Sequence, residues 1–187
     1  MLFRSQGRSA PFIEIRARSE QGLIPWDGMT MGELEVRGPW VASQYFQGDE
    51  TSDRFTQDGW FCTGDIVTID SLGFIQIQDR SKDVIKSGGE WISSVALENA
   101  LMGHPAVAEA AVIGVFHHHW QERPLAAVVL KEGHSVTPQE LIDFLKPSFE
   151  KLWLPDAIEF VKAIPRTAVG KFLKSALREQ FKDYKLP

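Results

Sequence analysis

The sequence predicts an α+β fold in two parts: a β-rich stretch to about Gln78, then a small three-stranded sheet with helices. Three observations carry this reading. The first part alternates apolar and polar residues between closely spaced turn signals, the second holds short uninterrupted apolar runs, and helix-capping patterns lie between those runs. Ile13-Glu14-Ile15-Arg16-Ala17-Arg18 alternates as a half-buried strand does. Residues 33–37 do the same before Gly38-Pro39 breaks the pattern. Asp58-Gly59 is a turn signal ahead of Trp60-Phe61, and residues 66–69 and 74–77 flank Asp70-Ser71-Leu72-Gly73 as a hairpin with a four-residue loop.

The pattern changes after Asp79. Ser94 is positioned to cap a helix through Val95, Leu97, Glu98 and Leu101, stopped by Gly103 with Pro105 beyond. Residues 110–115 and 125–130 are apolar runs too short for confident helices, so they are expected as buried strands. Thr137-Pro138-Gln139-Glu140 is a capping box with proline at the first helical position, opening a helix with Leu141, Ile142 and Leu145 on one face. Residues 157–161 give a third strand, and Leu173, Leu177 and Phe181 recur every fourth residue as a C-terminal amphipathic helix. Between the parts, Asp79-Arg80-Ser81-Lys82-Asp83 is expected as a solvated connector.

Composition narrows the function classes. The chain has 187 residues, a net charge of −5, 43% hydrophobic and 24% charged residues, enough to bury a core and unlike a disordered sequence. Its mild acidity argues against general nucleic-acid binding. The single cysteine, Cys62, excludes an intramolecular disulfide framework. No apolar run reaches the roughly 18–20 residues of a membrane helix, and the first eight residues lack the apolar core of a secretory leader, so a cytoplasmic protein is expected. Charge is uneven: from Lys162 to Pro187 seven cations face two acids. That tail suits an anionic ligand such as a nucleotide or coenzyme A, or is a solvated helix face.

Four stretches invite a chemical reading. Asp65, after Thr63-Gly64, is an acceptor that can take both hydroxyls of a ribose diol, or it fixes a turn through backbone N–H groups. Gly88-Gly89 permits close approach of another molecule and lies near Arg80, Lys82 and Lys86, which suits a phosphate-bearing group; the alternative is a glycine turn between a strand and a helix. Pro165-Arg166-Thr167-Ala168-Val169-Gly170-Lys171 fails as a phosphate-cradling P-loop, because Pro165 replaces the first glycine and Phe172 the Ser or Thr. A lysine fixed in that turn can stabilise charge developing on a carboxylate or phosphate, or it is a surface lysine before a helix. His117-His118-His119 lacks a second ligand cluster and reads as a loop, and Cys62 reads as a packing residue, so no metal site is assigned.

In order and spacing, Gly59-Trp60-Phe61-Cys62-Thr63-Gly64-Asp65, Asp79-Arg80-Ser81-Lys82-Asp83-Val84-Ile85-Lys86-Ser87-Gly88-Gly89-Glu90 and the segment 165–171 closely resemble the C-terminal motifs of acyl-adenylate-forming (AMP-binding) enzymes. Gly89-Glu90-Trp91-Ile92-Ser93-Ser94 and Leu97-Glu98-Asn99-Ala100-Leu101 resemble the medium- and long-chain fatty-acyl-CoA synthetase branch. The resemblance implies a ligase that joins a fatty acid to coenzyme A through an acyl-adenylate, with ATP and coenzyme A as substrates and magnesium accompanying ATP. It implies that Asp65 holds the ribose hydroxyls, Arg80 contacts the nucleotide, and Lys82 is the hinge. Lys171 would orient carboxylate and phosphates for adenylation, while Gly88, Gly89 and Glu90 would face the coenzyme A channel. Lys86 and Trp91 lie in that same segment.

By the same resemblance, residues 1–78 are the β-rich end of a large N-terminal domain, entered near Gly7-Arg8-Ser9-Ala10-Pro11-Phe12, and residues 79–187 are a mobile lid hinged at 79–84. The Ser/Thr/Gly-rich phosphate loop, adenine-binding segment and acyl pocket of the family do not occur in these 187 residues. The expectation is therefore a C-terminal portion that is inactive in adenylation by itself, with an exposed apolar surface on 1–78 that leaves association open. Two other expectations stand beside it: another acyl- or aryl-CoA ligase branch, and a stand-alone nucleotide- or coenzyme-A-binding or interaction module.

Overall fold

A computed structural model describes residues 5–42 and 54–186. The start of the stretch read for a leader, residues 1–4, lies outside the described residues. The chain divides into two compact units, 1–82 and 83–187.

The first unit is an antiparallel sheet. Its strands are β1 (Glu14–Ser19), β2 (Gly22–Leu23), β3 (Gly32–Arg37), β4 (Phe61–Ile69) and β5 (Ile75–Arg80), in the order β2-β1-β3-β4-β5. Alternation buries Ala17, Leu34, Val67 and Ile69 with Ile24 in one core. Polar groups organise another cluster. Glu35, 3% exposed, accepts from Arg16 and Arg18, while Arg16 also grips Asp58 through two bonds of 2.8 and 3.0 Å. The guanidiniums of Arg16 and Arg37 lie 4.2 and 4.5 Å from the buried Trp60 ring, a double cation–π contact. The guanidinium beside Asp58 holds its carboxyl well below the usual carboxylate range. Asp79 is 3% exposed and Arg80 pairs with Asp65 in the β4–β5 ladder, so these two residues extend a strand rather than begin a solvated connector. Phe12, Met29, Trp40 and Leu72 are exposed on this unit.

The second unit is built on one long hairpin, β8 (Val107–His117) with β9 (Gln121–Leu130). Its apolar runs lack alternation because both faces are covered. Ala110, Val112, Ala126 and Val128 face a core with Leu97, Leu101, Leu141 and Leu145. Ala111, Ile113, Leu125 and Ala127 face another with Ala157, Ile164 and Leu177. The former helix pairs come from α1 (Ser94–Met102) and α2 (Pro138–Leu145); Leu177 comes from α3 (Lys174–Gln180). The strand β10 (Ala157–Phe160) joins β9 in parallel.

The sheet is larger than the three strands read from the sequence. A hairpin of β6 (Ile85–Ser87) and β7 (Glu90–Ile92) adds two, because Gly88 and Gly89 both take positive φ, +58° and +85°, and close a two-residue turn. The α1 cap is Ser93, not Ser94: Ser93 is extended and its hydroxyl accepts from Ala96 N–H, while Ser94 is already helical. The Thr137–Glu140 capping box forms in both directions. The C-terminal helix is shorter than its apolar spacing suggests, seven residues with Leu177 buried.

Arg123 on β9 ties this unit together. It is 5% exposed and all five of its N–H groups are used: two on Asp156 (2.9 and 2.6 Å), one on Ser87 Oγ (3.0 Å), and one each on the carbonyls of Leu152 (2.6 Å) and Leu154 (3.2 Å). It thereby joins β9, β6, the 3-10 turn Lys151–Trp153 and the residue that leads into β10. Truncation leaves a carboxylate and two carbonyls without their donor. We expect Arg123→Ala to cost about 3–5 kcal/mol, as for removing one partner of a buried charged network. The check is urea unfolding followed through exchange of the β8–β9 amides, where a cost under about 1 kcal/mol contradicts the assignment.

Candidate functional site

The residues singled out by sequence fall into three structural groups, one in the first unit and two in the second. In the first unit, Asp65 sits in β4 opposite Arg80 in β5, with its Oδ1 2.9 Å from Arg80 Nη1. Gly64, at φ +76°, makes the local geometry: its carbonyl accepts from Ser81 N–H (2.9 Å). Thr63 Oγ1 donates to the Leu34 carbonyl and accepts from Asp65 N–H (3.1 Å). A polar cleft of about 480 Å³ opens here, with Gly64, Arg80, Lys82, Arg54 and Glu33 among its walls. Three cations and one acid line it, so an anionic ligand matches it better than a neutral one. Arg80 occupies one oxygen of Asp65, yet a carboxylate offers about four acceptor positions, so a diol can still be held.

Cys62 lines the same cleft. Burial, then the carboxylates of Glu33 and Glu35, push its thiol up from the ordinary cysteine value. A raised pKa means less thiolate at any given pH. Alkylation of Cys62 by iodoacetamide, followed against pH, should show a midpoint above that of free cysteine; one below it would mark an activated thiol.

The second group is the β6–β7 hairpin, held by the start of β9. Gly88 N–H donates to the Trp120 carbonyl (3.0 Å), Lys86 N–H to Glu122 Oε2 (2.9 Å), and Ser87 Oγ accepts from Arg123. Gly114 makes room for the Glu122 carboxylate, which lies 2.7 Å from where a Cβ would be. Gly88 lies under the Trp120 ring, where a Cβ would stand 2.6 Å from a ring carbon, whereas a Cβ on Gly89 meets nothing within 4 Å. Glu90 is exposed, and Lys86 lies with its ammonium 5.5 Å from the ring centre of its cross-strand partner Trp91. Both glycines take a backbone that L-residues adopt at about 1–2 kcal/mol. Gly88→Ala must also displace Trp120. By chemical denaturation it should cost about 1 kcal/mol more than Gly89→Ala; equal losses would contradict the contact.

The third group is the Lys171 turn. Arg166 and Phe172 form an isolated bridge that closes it, Gly170 takes φ +83°, and Thr167 N–H reaches the Lys171 carbonyl at 2.8 Å. Lys171 N–H donates to Thr167 Oγ1 (3.2 Å), while its side chain is exposed and its ammonium has no partner among the described residues. Its cationic neighbours differ. Arg166 pairs with Glu109 (2.6 Å), Lys174 with Glu98 (2.7 Å) and Arg178 with Asp83 (2.5 Å). Arg166, Lys174 and Arg178 of the basic tail are therefore neutralised by acids from other segments of the chain, which neither sequence reading anticipated. The buried acids and hydroxyls that do this, Glu98 and Ser94 above all, carry no local signal, since they meet their partners across about 80 residues.

His117 ends β8, and its Nδ1 accepts from the N–H groups of His119 and Trp120 in the hairpin turn. Among the described residues no three acidic, histidine or cysteine side chains converge, so no magnesium ligands are assigned; no helix among them is long and apolar enough to cross a membrane.

Residues 96–171 match the family described as AMP-binding enzyme C-terminal domain. The chain is 53% identical over 181 residues to a long-chain-fatty-acid–CoA ligase of Thermus thermophilus, covering 95% of this chain and 33% of the relative. It is 49% identical over 183 residues to a 3-methylmercaptopropionyl-CoA ligase of Ruegeria lacuscaerulensis, covering 97% of this chain and 34% of that one. Among solved structures, ATP-bound MatB from Rhodopseudomonas palustris superposes with a TM-score of 0.83 at 33% identity, over 97% of this chain and 37% of the other. The chain spans about a third of the length of the curated relatives it matches. Residues 96–171 therefore carry the C-terminal domain of AMP-binding enzymes.

Proposed function

We propose that this chain is the C-terminal part of a fatty-acid–CoA ligase acting in the cytoplasm. A fatty acid attacks ATP to give acyl-adenylate and pyrophosphate, and coenzyme A then displaces AMP to give the thioester. Lys171 carries the argument: it is a cation on a hydrogen-bonded turn, without a partner among the described residues, while Arg166, Lys174 and Arg178 around it are each matched by an acid. An exposed, unpaired cation on a turn whose backbone is held in place suits the negative charge that gathers on carboxylate and phosphates during adenylation.

Asp65, paired with the Arg80 that lines the anion-matched cleft, holds the ribose hydroxyls, and Arg80 contacts the nucleotide. Lys82, exposed after β5, is the hinge about which residues 83–187 turn between the two half-reactions. The open space beside Gly89 suits the narrow pantetheine arm of coenzyme A, with Gly88 and Glu90 its neighbours in the turn and the Lys86–Trp91 pair next along the hairpin. ATP brings magnesium with it, and the acyl pocket and phosphate loop belong to residues outside this sequence.

The test joins this chain to the remaining N-terminal two-thirds of the Thermus relative. Fatty-acid-dependent ATP–pyrophosphate exchange and acyl-CoA formation are expected from the chimera, and no exchange from this chain alone. Lys171→Ala should lower exchange by ~10²–10³-fold while thioester formation from supplied acyl-adenylate changes far less. Gly89→Val should show the reverse bias. Equal loss in both half-reactions for either variant sinks its assignment.

A further inference from the structure

The helix α3 has seven residues, too few to be stable alone, and buries Leu177 as its anchor. Its orientation is therefore set by what holds its polar side chains. Lys174 and Arg178, four residues apart, lie on one face. Lys174 Nζ is 2.7 Å from Glu98 Oε1 and donates to Ser94 Oγ at 2.7 Å, both on α1. The pair is nearly enclosed, with side chains 11% and 10% exposed, and the same Glu98 oxygen accepts from Val112 N–H of β8 at 2.8 Å. Arg178 Nη2 meets Asp83 Oδ1 at 2.5 Å, and Asp83 is the first residue of the second unit.

Upstream, Leu173 N–H bonds the Pro165 carbonyl (2.8 Å), Phe172 packs on the core under the Arg166 guanidinium (4.6 Å), and Lys171 follows directly in the turn. A continuous set of contacts thus runs from Asp83 through α3 to Lys171.

We propose that Lys174 and Arg178 are positioning residues, and that α3 is a strut fastening the Lys171 turn to Asp83 at the start of the unit. A turn of the chain at the connector then carries Lys171 as part of one rigid piece instead of leaving it on a loose loop. This rests on the reading of Lys171 as the adenylation lysine. The device answers a geometric demand, because displacing a charge-stabilising group by about 1 Å can cost ~10²-fold in rate.

The Asp83–Arg178 pair is the more exposed of the two, so its variants test the strut with least risk to the fold. In this chain, Arg178→Ala and Asp83→Asn should speed amide exchange at Gly170 and Lys171 by ~10-fold, leaving the β8–β9 amides unchanged. The exchanged pair Asp83→Arg with Arg178→Asp should restore the slow rate. In the ligase chimera, the single variants should lower the adenylation kcat by ~10-fold with KM for ATP unchanged, and the exchanged pair should recover it. Unchanged exchange at 170–171, a parallel rise in the β8–β9 amides, or unchanged kcat overturns the strut while leaving Lys171 in place. A chimera that stays fully active with Lys171→Ala overturns the adenylation reading, and the strut's purpose with it.

Discussion

The second unit depends on a single buried guanidinium. Arg123 enters the sheet at the start of β9 and spends all five donors on four residues, Ser87, Leu152, Leu154 and Asp156. A lysine could not do this, because its three donors radiate from one point, whereas the planar fork reaches Asp156 with two bonds and still faces Ser87 and two carbonyls. Removing a cation from water costs several kcal/mol, and here a carboxylate and three neutral acceptors offset that cost. The consequence for the site is direct. Ser87 is the residue before Gly88, so the group that closes the core also sets the glycine turn. The neighbours Trp120 and Glu122 hold the rest of that turn, so the start of β9 is its template.

The first unit solves a related problem around a buried carboxylate. Glu35 is buried among Arg16 and Arg18, and the Trp60 ring meets the guanidiniums of both Arg16 and Arg37. Trp60 opens the segment that leads to Asp65, so the packing of that aromatic ring fixes where β4 begins. Gly64 then bends the strand so that Asp65 stands opposite Arg80. In both units a charged network, not an apolar contact, decides where the motif residues come to rest.

This division explains what could be read from the residues alone. Strand runs, the Thr137 capping box and the 66–77 hairpin were legible, because each is decided by neighbours within a few positions. So were the motifs around Asp65, Gly88-Gly89 and Lys171, through their order and spacing. Arg123 was not, since a charged residue before an apolar run looks like any strand end until Asp156 and Ser87 are brought to it. Ser94 looked like a cap for the same reason: its real partner, Lys174, lies 80 residues away. Asp79 looked like part of a solvated connector, although the ladder of β4 buries it.

The basic tail shows why local charge counts mislead about binding. Seven cations against two acids suggest a field that draws anions. In the fold, Arg166, Lys174, Arg178 and Lys182 each meet an acid at 2.5–2.7 Å, three of them from outside the tail. Pairs that close leave little field beyond a Debye length of about 8 Å. What survives is a contrast rather than a patch, with Lys171 exposed among neutralised neighbours on a turn fixed by its own backbone bonds. A diffuse cationic surface would bind any polyanion and place none of them. An exposed lysine carried on a backbone fixed in this way, with Arg166, Lys174 and Arg178 already neutralised, is what the proposed charge stabilisation in a transition state calls for.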